Sequence, residues 1–370
     1  MERRSFLGAS LAAAVGLAGR PLETLAAPRL RRDDGVLRLA SNENALGPSE
    51  AARRAVIEGL AESNRYTHLV AADLRRRVAA HHGVPETAVV LGNGSAEILQ
   101  MATQAVARPG GRLIVADPTF EQVYGYGEPW GLERVKVPLT ATCAHDIGRM
   151  REARRGAGGP VLAYICNPNN PTGSLTPSAD VEAWIRENED TLFLVDEAYF
   201  EYADHPEYRT VLPLAMSRPN VVVVRTFSKI YGMAGLRLGY ALAHPETAAR
   251  IDAYAADSNL NIMGLVAARA SLGDAAHLAR SLRSNEEARA ITYDVLDELG
   301  LERIPSHTNF VMHRVPGDVR DYIRRMAEHQ VRVGRPFPPM TGHNRLSFGL
   351  PEEMERFAAV LRGFRRSGWV

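Results

Sequence analysis

The chain has 370 residues, enough for two domains or one large one, and 45% hydrophobic residues can fill a substantial core. Its 44 Lys and Arg against 43 Asp and Glu leave no general basic footprint for nucleic acid and no acidic tail. Two cysteines are too few for a disulfide framework or a structural zinc site, and the histidines show no metal-ligand spacing. No run approaches the roughly 18 apolar residues that span a bilayer, so no stable membrane insertion is expected.

The N-terminus reads as an address label. Arg3-Arg4-Ser5-Phe6-Leu7 precedes a mildly apolar stretch from Ala9 to Leu17, and Thr24-Leu25-Ala26 then offers small residues at a signal-peptidase spacing. Charged, then apolar, then small is the order of a secretory signal, and paired arginines before Phe-Leu resemble the twin-arginine type. Gly8, Gly16 and Gly19 weaken the alternative, an amphipathic N-terminal helix. Export of the folded chain by the twin-arginine machinery, to the periplasm or beyond, is therefore expected, with residues 1–26 outside the fold and 27–50 forming an arm.

From about residue 86, short apolar runs alternate with longer amphipathic ones. The runs predict strands at Ala88–Leu91, Arg112–Ala116, Arg134–Val137, Val161–Cys166, Thr191–Val195 and Val221–Val224, with helices such as Ala96–Ala107 and Ser178–Glu189 between them. Near-continuous Val/Ile/Leu strands alternating with helices predict a mostly parallel sheet covered on both faces. After about residue 245 the pattern changes. Helices at Leu260–Leu272 and Ala275–Leu299 lead to short strands at Phe310–His313 and Arg345–Phe348 and a closing helix from Pro351, which reads as a smaller α+β domain. The expected division is 51–255 for the large domain and 256–370 for the small one, with the active site between them.

Ligands of open α/β sheets collect at the carboxyl ends of the strands, and four polar segments fall there. Gly92-Asn93-Gly94-Ser95-Ala96-Glu97 opens a helix, where glycines permit close backbone approach and free N–H groups favour a phosphate. Glu97 stands where a dinucleotide fingerprint wants a third glycine, which disfavours a nicotinamide cofactor. Asn167-Pro168-Asn169-Asn170-Pro171-Thr172-Gly173 is a rigid turn that presents asparagine amides. Asp196-Glu197-Ala198-Tyr199 places a carboxylate at the end of a buried strand, where it needs a partner such as a pyridinium nitrogen. In Thr226-Phe227-Ser228-Lys229-Ile230-Tyr231-Gly232 and onward to Arg237, a lysine lies amid hydroxyls, aromatics and glycines. Enclosure lowers an amine's pKa and makes it a nucleophile, and Thr226, Ser228 and Arg237 suit a phosphate cup.

Together these segments resemble the signature of fold-type I pyridoxal-phosphate (PLP) enzymes, specifically the class I/II aminotransferases nearest the histidinol-phosphate branch. The resemblance covers roughly residues 38–365. It includes Asn42-Glu43-Asn44-Ala45-Leu46-Gly47-Pro48, Arg65-Tyr66, Asp117-Pro118-Thr119-Phe120, Thr308-Asn309-Phe310-Val311, Arg335-Pro336-Phe337 and Arg345-Leu346-Ser347-Phe348-Gly349. It implies an α/β fold: a large domain with a mostly parallel seven-stranded sheet between helices, and a smaller α+β domain.

Carried onto this sequence, the resemblance implies a transaminase that holds PLP as a Schiff base on Lys229, the residue that also moves the substrate proton. Asp196 would pair with the ring nitrogen. Asn170 and Tyr199 would bond the phenolic oxygen, and Phe120 would stack on the ring. Ser95 and Ala96 through their backbone, with Thr226, Ser228 and Arg237, would hold the phosphate. Tyr66 would reach the cofactor of a second subunit, making a homodimer with shared sites. Arg345 would clamp the substrate carboxylate, and Asn44, Tyr231 and Arg335 are further candidates around the substrate. Thr67 stands where the family usually has proline. Decarboxylation, elimination or oxidation on the same scaffold is the alternative reaction, and a non-catalytic binder is opposed by the intact Lys229, Asp196 and Arg237.

Overall fold

Residues 35–370 are described by the structure, a computed structural model. The leader expected at 1–26 lies outside the described residues. All six predicted runs from 88 to 224 are strands; tertiary pairing extends four of them and shifts the first by one residue, while Val161–Cys166 stands as predicted. They are β2 (Val89–Gly92), β3 (Arg112–Asp117), β4 (Glu133–Pro138), β5 (Val161–Cys166), β6 (Thr191–Asp196) and β7 (Val221–Thr226), following β1 (Leu37–Leu39). A seventh, β8 (Gly239–Ala243), was not among the strands predicted. It lies antiparallel between β7 and β2 in a sheet of order β2-β8-β7-β6-β5-β3-β4, in which β7, β6, β5, β3 and β4 pair in parallel.

Every residue of β5, β6, β7 and β8 is buried. Because side chains alternate across a strand, Ala163, Ile165, Phe193 and Val195 fill one core, whereas Leu162, Tyr164, Cys166, Leu192 and Leu194 fill the other. Two of the helices around these cores start at identifiable caps. The Ser49 hydroxyl accepts the Ala52 N–H ahead of the helix Glu50–Gly59, and the Asp274 carboxylate accepts the His277 N–H ahead of Ala275–Glu298.

Toward the C-terminus the chain forms β9 (Arg303–Ile304), β10 (Phe310–Arg314), β11 (Val331–Val333) and β12 (His343–Ser347), then the helix Pro351–Arg366. An antiparallel sheet runs β12-β10-β9, while β11 pairs in parallel with β1. A third core of Leu296, Val311, Leu346, Phe357 and Leu361 supports this region. The span Leu37–Val370 forms one compact unit.

Candidate active site

Five of the strand ends bear directly on one cavity. Its volume is about 150 Å³, and its lining includes Ser95, Ala96, Phe120, Asn170, Asp196, Tyr199, Thr226, Ser228, Lys229 and Arg237. These are the cofactor residues expected from this chain's sequence, apart from Tyr66. Segments over a hundred residues apart meet because β2, β3, β5, β6 and β7 end at the same edge of the sheet.

Lys229 and Asp196 are the charged pair of this cavity. The Lys229 Nζ donates to the Asn42 carbonyl oxygen at 3.2 Å and lies 5.7 Å from the centre of the Tyr199 ring. Burial and then the Arg345 guanidinium bring its amine down to about 8, against the pull of Glu43 and Asp196. Asp196 is 3% exposed, and burial pushes its carboxyl up to about 6. Hydrogen bonds from Tyr164 (2.8 Å) and the Ala198 N–H (3.1 Å) work the other way. The Tyr199 hydroxyl accepts from the amides of Asn42 at 3.1 Å and Asn170 at 3.4 Å.

Arg237, Ser228 and Thr226, expected to form a phosphate cup, line the same cavity. Arg237 Nη1 donates to the Ala234 carbonyl at 2.9 Å and to Ser228 Oγ at 3.3 Å, and the Thr226 hydroxyl accepts the Ser228 N–H at 3.0 Å. The helix Ser95–Val106 begins here, with its free N–H groups next to the guanidinium.

Arg345 lies behind Asn170. It is 9% exposed, with Nη1 donating to Asn170 Oδ1 at 2.8 Å and Nη2 to the Ala40 carbonyl at 2.7 Å. Its Nε has no partner, and no carboxylate among the described residues pairs with it. Burial brings it down to about 10.

The model for class I and II aminotransferases matches residues 34–361. The chain belongs to this family. A histidinol-phosphate aminotransferase of Bacillus licheniformis is 36% identical over 335 residues, covering 89% of this chain and 91% of the relative. That of Moorella thermoacetica is 34% identical over 351 residues, covering 93% and 89%. The crystal structure of histidinol-phosphate aminotransferase from Sinorhizobium meliloti in complex with pyridoxal-5'-phosphate superimposes with a TM-score of 0.84 at 28% identity, covering 90% and 91%. This chain is a PLP-dependent transaminase of the histidinol-phosphate-aminotransferase-like kind.

The residues present fit that cofactor on two structural counts. An amine and a carboxylate, both buried, face one cavity. The phosphate cup leaves no room for side chains in its wall: a Cβ on Gly94, whose φ is +78°, would lie 2.2 Å from Arg237 Nη2, and one on Gly239 would lie 2.5 Å from the Ser95 nitrogen. Beside the cavity, the buried Arg345 guanidinium has no carboxylate partner among the described residues, and such a charge is costly unless a ligand pairs with it.

The other expected residues lie apart from the cavity. Tyr66 is 80% exposed. The Asn44 amide donates to the Ile230 carbonyl at 2.7 Å and to Ser281 Oγ at 2.9 Å, so it braces the Lys229 loop. Arg335 is ion-paired with Glu121 and lies over the Phe337 ring, which Arg345 also approaches. Tyr231 lines a separate cavity of about 220 Å³ with His82, Arg225 and Tyr240.

Three residues in contact with this site escaped the sequence reading. Asn42 takes the Lys229 amine on its carbonyl, holds Tyr199 with its amide and accepts Ser347 Oγ on its side-chain oxygen at 3.0 Å. It sits in a quoted motif, but its role rests on a backbone φ of 55°. Tyr164 and Cys166, both adjoining Asp196, looked like ordinary strand core, and the alternation that puts them on the Asp196 face was the one available signal.

Proposed function

We propose that this transaminase moves an amino group between an amino acid or amine and a 2-oxo acid, on a donor resembling histidinol phosphate, outside the cytoplasm and as a homodimer. The observation that carries the reading is the one cavity lined by both Lys229 and Asp196, with the Arg345 guanidinium bonded to Asn170 of the same lining and paired with no carboxylate among the described residues. Arg345 binds the donor's carboxylate or an equivalent oxygen group, and Asn170 orients its guanidinium. Lys229, held by Asn42 and with its amine brought down to about 8, takes the proton from the donor Cα at near-neutral pH. PLP, when bound, supplies the electron sink that makes this proton labile. Asp196 serves the ring nitrogen, Asn170 and Tyr199 the phenolic oxygen, Phe120 the ring face, and Ser95, Ala96, Thr226, Ser228 and Arg237 the phosphate.

Dimerisation is supported by the surface. Ile57, Leu60, Tyr66 and Leu69 are all more than half exposed, and among the described residues they are four of six exposed large hydrophobics. A shared interface would cover them and bring Tyr66 to the partner's cofactor. Export is supported by the Arg3-Arg4 leader, since twin-arginine transport accepts chains already folded on their cofactor.

Borohydride reduction followed by peptide mass spectrometry is expected to put a pyridoxyl increment on Lys229, and its absence there overturns the assignment. An amino donor alone is then expected to change the holoenzyme spectrum, and a 2-oxo acid to restore it. Carbon dioxide release without that reversible change would instead mark a decarboxylase. A donor panel that includes histidinol phosphate, with pyruvate and 2-oxoglutarate as acceptors, defines the substrate. Fractionation of cells carrying the intact leader and an Arg3-Arg4→Lys-Lys variant tests export.

A further inference from the structure

Tyr164 lies within β5, fully buried, beside Leu194 of β6 and Val115 of β3. Its neighbours Ala163 and Ile165 are apolar, and a phenol in such a place must find a partner for its hydroxyl. The partner is Asp196: Tyr164 Oη donates to Oδ2 at 2.8 Å. The other oxygen, Oδ1, accepts the Ala198 N–H at 3.1 Å. Both oxygens of the carboxylate are thus engaged by the protein itself, one of them by a side chain.

We propose that Tyr164 is a positioning residue that decides where the proton sits between Asp196 and the cofactor's ring nitrogen. By donating to Oδ2 it makes the carboxylate a weaker base, so Asp196 leaves the proton on nitrogen. The inference rests on Asp196 being the ring-nitrogen partner. The other groups facing Asp196 are Cys166 from β5, Glu197, Ala198 and Tyr199 from its own loop, and Lys229 from the loop after β7. Burial and Asp196 hold the Tyr164 phenol well above its ordinary range, and burial does the same to the Cys166 thiol. Both stay protonated, and Tyr164 remains a donor throughout the working pH range. Glu197 is engaged by Arg225 at 2.8 Å, which leaves Tyr164 as the side-chain donor to Asp196.

Two measurements on the full chain test this. In holoenzyme carrying ring-¹⁵N PLP, the wild-type nitrogen is expected to be protonated at neutral pH, and in Tyr164→Phe its signal is expected to move toward the unprotonated position. In apoprotein with ¹³C-labelled aspartate, the Asp196 carboxyl of Tyr164→Phe is expected to titrate about one to two pH units higher, the loss of one hydrogen bond to a charged group. If Tyr164→Phe matches wild type in both, the proposal is overturned and Tyr164 is packing. If the wild-type nitrogen is itself unprotonated, the Asp196 reading falls too, which separates the two failures. Should Tyr164→Phe fail to fold, site-specific 3-fluorotyrosine keeps the shape with a stronger donor, and the Asp196 carboxyl must then titrate lower than in wild type.

Discussion

At the scale of single residues, the Lys229 amine has the strongest measurable consequence. With its pKa brought down to about 8, the neutral and nucleophilic form grows as pH rises through 8 and then saturates. Capture of PLP by apoprotein should therefore speed up with pH to about 8 and level off. A stopped-flow rate still climbing toward about pH 10, as for an ordinary lysine, would contradict the enclosure described. Lys229→Ala should cost transamination ~10²–10⁴-fold while leaving the fold intact. For Arg345→Lys, the planar fork is lost and one point charge remains, so kcat/KM for a carboxylate-bearing donor should fall about 10–100-fold. A loss confined to donors without a carboxylate would argue against the clamp. The neighbouring asparagines show where sequence reading stops. Asn42 and Asn44 are two positions apart in one motif, yet the left-handed φ of Asn42 turns it toward Lys229 and Tyr199, while Asn44 braces the loop from behind. Residue type announced the motif, but backbone torsion assigned the roles.

At the scale of elements, the strand ends were legible because β5, β6 and β7 carry apolar runs of four or more residues that give way to polar residues at their ends. β8 was not. Gly-Tyr-Ala-Leu-Ala has weak strand propensity and reads as the tail of the lysine segment, and it becomes a strand by filling the space between β7 and β2. Its first residue, Gly239, lets the Ser95 backbone come close and so sets the floor of the phosphate cup. Gly94→Ala should push the Arg237 guanidinium aside and strain a positive φ, weakening PLP affinity about tenfold or more. Equilibrium dialysis of the variant checks this; unchanged affinity would show that Arg237 is not the phosphate's partner.

For the whole molecule, the doubly covered α/β body followed from the alternation of helices and strands. The sequence also points to Tyr66 as a residue shared between subunits, and within one chain Tyr66 stands exposed and apart from the cavity. The exposed Tyr66 predicts a dimer of twice 40.5 kDa by light scattering. Coexpressed Tyr66→Ala and Lys229→Ala chains should recover activity that neither has alone, since a mixed dimer keeps one intact site. A monomer, or no recovery, would remove the shared-site reading.

The pairing of β1 with β11 also bears on the leader proposed for the N-terminus. Leu37 donates to the Gln330 carbonyl, and five residues on, Asn42 supplies the oxygen on which the catalytic amine leans. Were the leader proposed for residues 1–26 removed by a protease, the last permissible stop would be just ahead of Leu37. Chains clipped there should still turn over, whereas chains clipped beyond Asn42 should be inert however well they are delivered.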